Sequence, residues 1–261
     1  MKKIVVTGAT SMIGAALLCR LVKDSQIEKI YAVVRTPSDE AQFSKRNRLP
    51  KDEKIQLIEC DISDYSRLPE LVNDTCDTFY HLAWPRTSTY KESIEDVLSK
   101  CDSAKYVIEA VYSAHKMGCR KFIGAGSQSE YGLVKEGVYN KDLYCEPVRA
   151  DGVVHLMAGQ LAKMVAESFD MKCIWMRIFS VYGTNDRLDS MISSTIDKLM
   201  KGEHCSFTKS EQTWDFIYEK DIAEAFYLVG KKVNENKIYN VANGTSRPLK
   251  DYIETIRDVV S

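Results

Sequence analysis

The stretch Lys2 to Gly14, KKIVVTGATSMIG, constrains the fold more than any other part of this 261-residue chain. Ile4, Val5 and Val6 are consecutive β-branched residues, as in a strand buried on both faces, and such strands belong to parallel sheets covered by helices on each side. Gly8 and Gly14 bracket the turn that follows, and Ala15 to Val22 reads as a helix. A strand, a glycine-bearing turn and a helix in that order aim backbone N–H groups and the positive end of a helix dipole at one point, which suits a pyrophosphate. A glycine turn without a ligand fits the same letters, so the strand before and the helix after carry the reading.

Composition narrows what such a turn serves. The formal net charge is -1 and there is no basic block, which argues against nucleic acid or an anionic membrane and for a small-molecule partner. With 44% hydrophobic residues, the chain can bury one large α/β core with a small appended lobe. The eight cysteines form no CxxC pair and no metal-like spacing with histidine, so reduced thiols of a cytoplasmic protein are expected, and no metal site. No signal pattern precedes the first strand, and no apolar run approaches the roughly 18 residues of a membrane span.

The segment Thr7 to Gly14, TGATSMIG, is similar to the TGxxGxxG turn of the short-chain dehydrogenase/reductase superfamily, and more closely to its extended, nucleotide-sugar-modifying branch, the NAD-dependent epimerase/dehydratase family. The resemblance implies a Rossmann fold, a doubly wound parallel sheet, with Gly8, Thr10, Ser11, Met12, Ile13 and Gly14 around the cofactor pyrophosphate. Ser11 stands where the family has its middle glycine; it adds bulk, and its hydroxyl can donate to phosphate. Lys29 to Val34 reads as the second strand and ends at Arg35, where a dinucleotide fold selects its ribose partner. An acidic residue there would bond the 2′-hydroxyl of NAD. Arg35, with Ser38, Lys45 or Arg46, would attract a 2′-phosphate, so NADP is expected, with NAD the alternative. A solvated strand-end charge is the plainer reading of Arg35, and Thr36 to Lys54 reads as a polar loop.

Ile55 to Glu59 reads as a third strand leading to Asp61 and Ile62, which by position in the family lie against the adenine. The fourth, Thr78 to Leu82, enters His81-Leu82-Ala83-Trp84, similar to the family's H-L-A-A turn; this places Leu82 and Ala83 beneath the cofactor and leaves His81 structural. A helix over Glu92 to Met117 stops at Gly118 and, in relatives, forms part of a dimer interface, so a homodimer is implied. Arg120 to Ala125 reads as the fifth strand. It opens onto Ser127-Gln128-Ser129-Glu130-Tyr131-Gly132, which looks like the branch's S-x-x-x-Y-G segment and makes Ser127 the hydroxyl that bonds the reacting oxygen.

The family moves its proton with a tyrosine and a lysine four residues later. Tyr112 with Lys116, Tyr131 with Lys135, and Tyr227 with Lys231 have the spacing, but none has the position. That position is the next helix, Gly152 to about Phe169, where Asp151 replaces the tyrosine and His155 the lysine. An i,i+4 pair lets the Asp151 carboxylate sit beside the imidazole, raise its pKa and make it a proton carrier near neutral pH. Three other readings stand beside it. Asp151 caps the helix with His155 a bystander; Tyr139, Tyr144 or Cys145 is the donor; or the protein binds cofactor without turnover.

Lys172 to Ile178 reads as the sixth strand, and Arg177 to Gly183 is similar to R-x-x-N-x-Y-G, with Ser180 where asparagine meets the sugar nucleotide. Trp214 to Ala223 resembles R-D-F-I-Y-V-x-D-V-A, with Trp214 in place of a phosphate-binding arginine and Asp221 as a helix cap. Leu249 to Val260 reads as a closing helix. Residues 1–183 and 207–233 are expected to form the dinucleotide-binding domain, and 184–206 with 234–261 a reduced substrate lobe. The implied activity is an oxidoreductase or epimerase working by hydride transfer at a carbon of a nucleotide-linked sugar.

Overall fold

A computed structural model of the chain describes residues 1–37, 49–85, 93–133 and 138–260. Ser38, Lys45, Arg46 and Lys135, singled out from the sequence, lie outside the described residues. In chain order the strands are β1 (Lys3–Thr7), β2 (Lys29–Val34), β3 (Ile55–Glu59), β4 (Thr78–His81), β5 (Lys121–Ser127), β6 (Lys172–Ile178), β7 (Ser180–Tyr182), β8 (Thr213–Trp214), β9 (Phe216–Tyr218), β10 (Lys237–Val241) and β11 (Arg247–Pro248). The helices are α1 (Met12–Leu21), α2 (Leu68–Val72), α3 (Ile94–Lys116), α4 (Ala150–Ser168), α5 (Met191–Met200), α6 (Glu219–Lys232) and α7 (Leu249–Val260), with 3-10 turns at Ile62–Arg67 and Gln128–Tyr131.

Seven strands form one parallel sheet in the order β10-β6-β5-β4-β1-β2-β3. This is the expected Rossmann arrangement. The order reverses between β1 and β4, which opens a crevice at the carboxyl ends of those strands. The β-branched run of β1 serves both faces: Ile4 and Val6 join a core with Leu17, Leu21, Ile222 and Phe226 under α1 and α6, while Val5 joins Phe79, Val107, Val111, Ala158 and Trp175 under α3 and α4. Alternation of side chains along a strand makes one short apolar run feed two cores.

Several boundaries differ from expectation for visible reasons. β5 runs on to Ser127 because β6 keeps pairing with it, Gly126 to Arg177 and Ser127 to Ile178. α3 begins at Ile94 because Ser93 makes a capping box with Asp96. Asp221 does not cap α6: β9 runs straight into the helix, so Tyr218 takes the cap position without a side-chain bond, and Asp221 lies in the first turn. Beyond the sheet, α5 packs on α7, β8 pairs with β11 and β7 with β9. Among the described residues no helix is long and apolar enough to cross a membrane.

Candidate active site at the carboxyl ends of the strands

The turn after β1 is shaped for close backbone approach. Gly8 has φ 67°, and a Cβ there would lie 2.7 Å from the Leu82 carbonyl carbon and 2.8 Å from the Ala83 nitrogen. Ser11 N–H donates to the Gly8 carbonyl at 2.9 Å, and Ser11 Oγ, at the N-cap of α1, accepts from Gly14 N–H at 3.0 Å. The serine therefore closes the turn as a helix cap, and its own proton remains to donate. Thr10, Met12 and Ile13 complete the rim, with the Met12 and Ile13 amides at the helix N-terminus, where no intrahelical acceptor exists. This cradle fits a dinucleotide pyrophosphate.

Arg35 is exposed and directly follows β2, at the same sheet edge. Its neighbour Thr36 donates from Oγ1 to Glu59 at the end of β3, 3.0 Å away. Asp61 caps the 3-10 turn, accepting from the Ser63 amide at 3.1 Å and hydroxyl at 3.0 Å, while Ile62 packs on the core. His81 is fully buried, 3.0 Å from Thr7 Oγ1, and burial drives its pKa down to about 3, so the ring is neutral.

Ser127 ends β5 and is held from behind. Its amide donates to Glu130 Oε1 at 2.9 Å, and its Oγ accepts from the Ser129 amide at 3.1 Å and lies 2.8 Å from Ser129 Oγ. Glu130 is 1% exposed and also accepts from Trp175 Nε1 at 2.9 Å and from Arg177 Nε at 2.7 Å. The Arg177 guanidinium lies 4.5 Å over the Tyr131 ring. Sequence reasoning passed over Glu130, although Ser127-x-x-Glu130 is a legible capping box, and that box is formed. On the neighbouring strand end, Ser180 Oγ is 3.4 Å from Gln128 Nε2. Trp214 is half exposed on β8, its ring 6.2 Å from that of Phe216.

The pair at 151 and 155 is built differently from expectation. α4 starts at Ala150 with Arg149 at its N-cap, so Asp151 is in the first turn and does not cap. Its carboxylate accepts from Arg149 Nε at 3.1 Å, and His155 Nδ1 donates to the Asp151 backbone carbonyl at 2.7 Å. The i,i+4 geometry brings carbonyl and imidazole together first, which corrects the expected carboxylate–imidazole contact. The expected rise in the His155 pKa is corrected too: burial pushes it below the usual value, against the weaker opposing pull of the Asp151 carbonyl. The imidazole stacks on Trp84, centroids 3.8 Å apart, and Trp84 Nε1 donates to the Ala125 carbonyl at 2.8 Å. A cavity of about 30 Å³ beside the pair is lined by Trp84, Pro85, Lys100, Ser103, Asp151, Val154 and His155.

The other proton-donor readings fall in different places. Tyr139 packs edge-on against Tyr131 and Phe179, at 5.5 and 5.4 Å, near the strand carrying Ser180. Tyr144 is exposed, and burial pushes the Cys145 thiol up. Tyr227 and Lys231 bond to each other and both to Asp24, tying α6 to the end of α1. A cavity of about 430 Å³ lies between α4 and the β6–β10 edge over Trp175 and Lys237, and is lined by none of the predicted site residues.

Residues 4–242 match the model of the NAD dependent epimerase/dehydratase family. The chain is 24% identical over 260 residues to the dTDP-4-dehydro-6-deoxyglucose reductase of Escherichia coli, covering 97% of this chain and 80% of that protein. It is 24% identical over 259 residues to the CDP-abequose synthase of Salmonella muenchen, covering 98% and 80%. Among solved structures it is similar to a UDP-glucuronic acid 4-epimerase from Bacillus cereus in complex with a fluorinated UDP-glucuronic acid and NAD, with a TM-score of 0.85 at 25% identity, covering 98% and 82% of the two chains.

Proposed function

The chain belongs to the NAD dependent epimerase/dehydratase family, and from that premise we propose that it is an NADP-dependent oxidoreductase or epimerase acting on a nucleotide-linked sugar. The observation that carries the reading is Ser127. A buried, charge-balanced cluster fixes its backbone at the end of β5, on the same sheet edge as the phosphate turn. Gly8 to Gly14 hold the pyrophosphate, Leu82 and Ala83 pass beneath the cofactor, and Asp61 and Ile62 flank its adenine. Arg35 supplies the cation for a 2′-phosphate, which is the reason for NADP over the NAD of the structural neighbours. Bound nicotinamide supplies the hydride exchange.

Ser127 Oγ polarises the sugar oxygen, and Ser180 and Trp214 meet the nucleotide-sugar end. With Nδ1–H given to the Asp151 carbonyl, the acceptor of His155 is Nε2, which takes or returns the substrate proton; Asp151 sets the ring through its backbone. Residues 184–206 and 234–261 supply the substrate lobe. Exposed Leu98 on α3 and Val153, Met157 and Met164 on α4 support a homodimer through these helices.

The replacement of the Tyr/Lys pair favours a second reading, a protein that binds the dinucleotide and does not turn it over. Incubation with NADPH and a panel of 4-keto nucleotide sugars separates the two. Turnover lost in Ser127→Ala and in His155→Ala supports the enzyme. Tight NADPH binding with no oxidation on any substrate supports the binding protein, and tighter NAD than NADP overturns the role of Arg35.

A further inference from the structure

Lys100 lies in the second turn of α3 and is only 3% exposed, a rare condition for a lysine. It shares the 30 Å³ cavity with Trp84, Ser103, Asp151 and His155. A helix other than α4 thus brings an ammonium group to the place where α4 carries no lysine. The cavity is sized for a single water, enough to link groups on its walls.

We propose that Lys100 is a positioning residue of this site: its ammonium, delivered from α3 to the cavity it shares with His155, is a positive charge that acts with burial to keep His155 a neutral proton acceptor. Among the described residues, the charged groups around the ring act in opposite senses. Glu130, behind Ser127, and Asp151, on α4 itself, both favour a charged imidazole. Arg149 is bonded to Asp151. Trp84 and Pro85, from the segment after β4, bring no charge. Lys100 is the cation that α3 brings to this cavity, and a buried cation disfavours a second one beside it.

The inference rests on the reading of His155 as the proton acceptor, yet its test needs no turnover. The chain has four histidines, so the imidazole resonances can be followed individually by NMR as pH is varied. Lys100→Met should bind a proton at His155 about tenfold more tightly than the natural chain, a one-unit rise, whereas Lys100→Arg should stay within about twofold. His81, walled off under the sheet, should remain neutral in both variants and reports that the fold is intact. A His155 titration in Lys100→Met within twofold of the natural chain overturns the proposal.

Should Lys100→Met not fold, the natural chain decides. The Lys100 Cε resonance should shift with the His155 midpoint, since coupling between two titrating groups is reciprocal, and a resonance that stays still through that midpoint is equally fatal. If the coupling is present while His155→Ala leaves turnover intact, the role of His155 fails and that of Lys100 as its charge partner stands.

Discussion

Glu130→Gln removes one charge from the cluster behind Ser127 and keeps its shape. Glu130 Oε1 takes two donors, the Ser127 amide and Trp175 Nε1, and Oε2 takes Arg177 Nε. A glutamine that keeps its carbonyl toward the first two turns an NH2 group against Arg177 Nε–H; turned the other way, it opposes both of the others. Either orientation leaves at least one buried donor unpaired, at about 1–3 kcal/mol each. The Arg177 side chain is also left at 5% exposure without its counter-ion. Breaking a buried pair from one side costs about 3–5 kcal/mol, so that is the expected loss of unfolding free energy. Urea denaturation at unchanged m-value measures it. Replacing both partners, Glu130→Gln with Arg177→Met, should recover all but about 1–2 kcal/mol, because no uncompensated charge remains. A loss below about 1 kcal/mol in the single variant would refute the view that this cluster fixes the end of β5.

Gly8→Ala should lower stability by about 1–3 kcal/mol through its left-handed φ and abolish dinucleotide binding, read by calorimetry, since the Cβ would meet the Leu82–Ala83 backbone. Ser11→Ala should cost about 1 kcal/mol as a lost helix cap and weaken cofactor binding only modestly. Arg35→Asp should reverse the cofactor order, with the ratio of NADP to NAD affinity falling at least about tenfold by fluorescence titration. Asp74 is held at a pKa of about 2, chiefly by its hydrogen bonds to Lys3 and Tyr31. A depressed carboxyl contributes stability that is present above the unfolded pKa of about 3.9 and lost as pH falls through the folded one. The stability gap between the natural chain and Asp74→Asn, followed by thermal denaturation, should therefore close between about pH 4 and pH 2.

The sheet was legible because its strands are short β-branched or aromatic runs set between turns, and burial on both faces leaves such runs little else to become. The turn after β1 was legible because two glycine positions and a helix start define it. The positions of the candidate site along the strand ends were legible, and their contacts much less so. Helical spacing puts Asp151 and His155 on one face but does not choose between a carboxylate and a carbonyl, and the nearer carbonyl prevails. Lys100 is one lysine in a charged helix, a residue type usually solvated; its burial depends on α4 packing across it, which no local pattern records. Glu130 shows the same gap, its capping box visible in the letters and its partnership with Arg177 set by strand pairing.

The cluster behind Ser127 gives this candidate site two parts carried by different elements that meet at one turn, where a Cβ on Gly152 of α4 would collide with the Ser129 carbonyl oxygen. The serine is anchored through β5, β6 and the turn after it, while the residues at 151 and 155 are carried by α4 and face Trp84 and α3. A substitution on α4 that keeps Gly152 against that turn can therefore leave the hydrogen bonds of Ser127 in place, whereas added bulk at position 152 reaches both parts at once. Gly152 is in this sense the joint of the candidate site: its missing side chain lets a helix and a strand end share one surface.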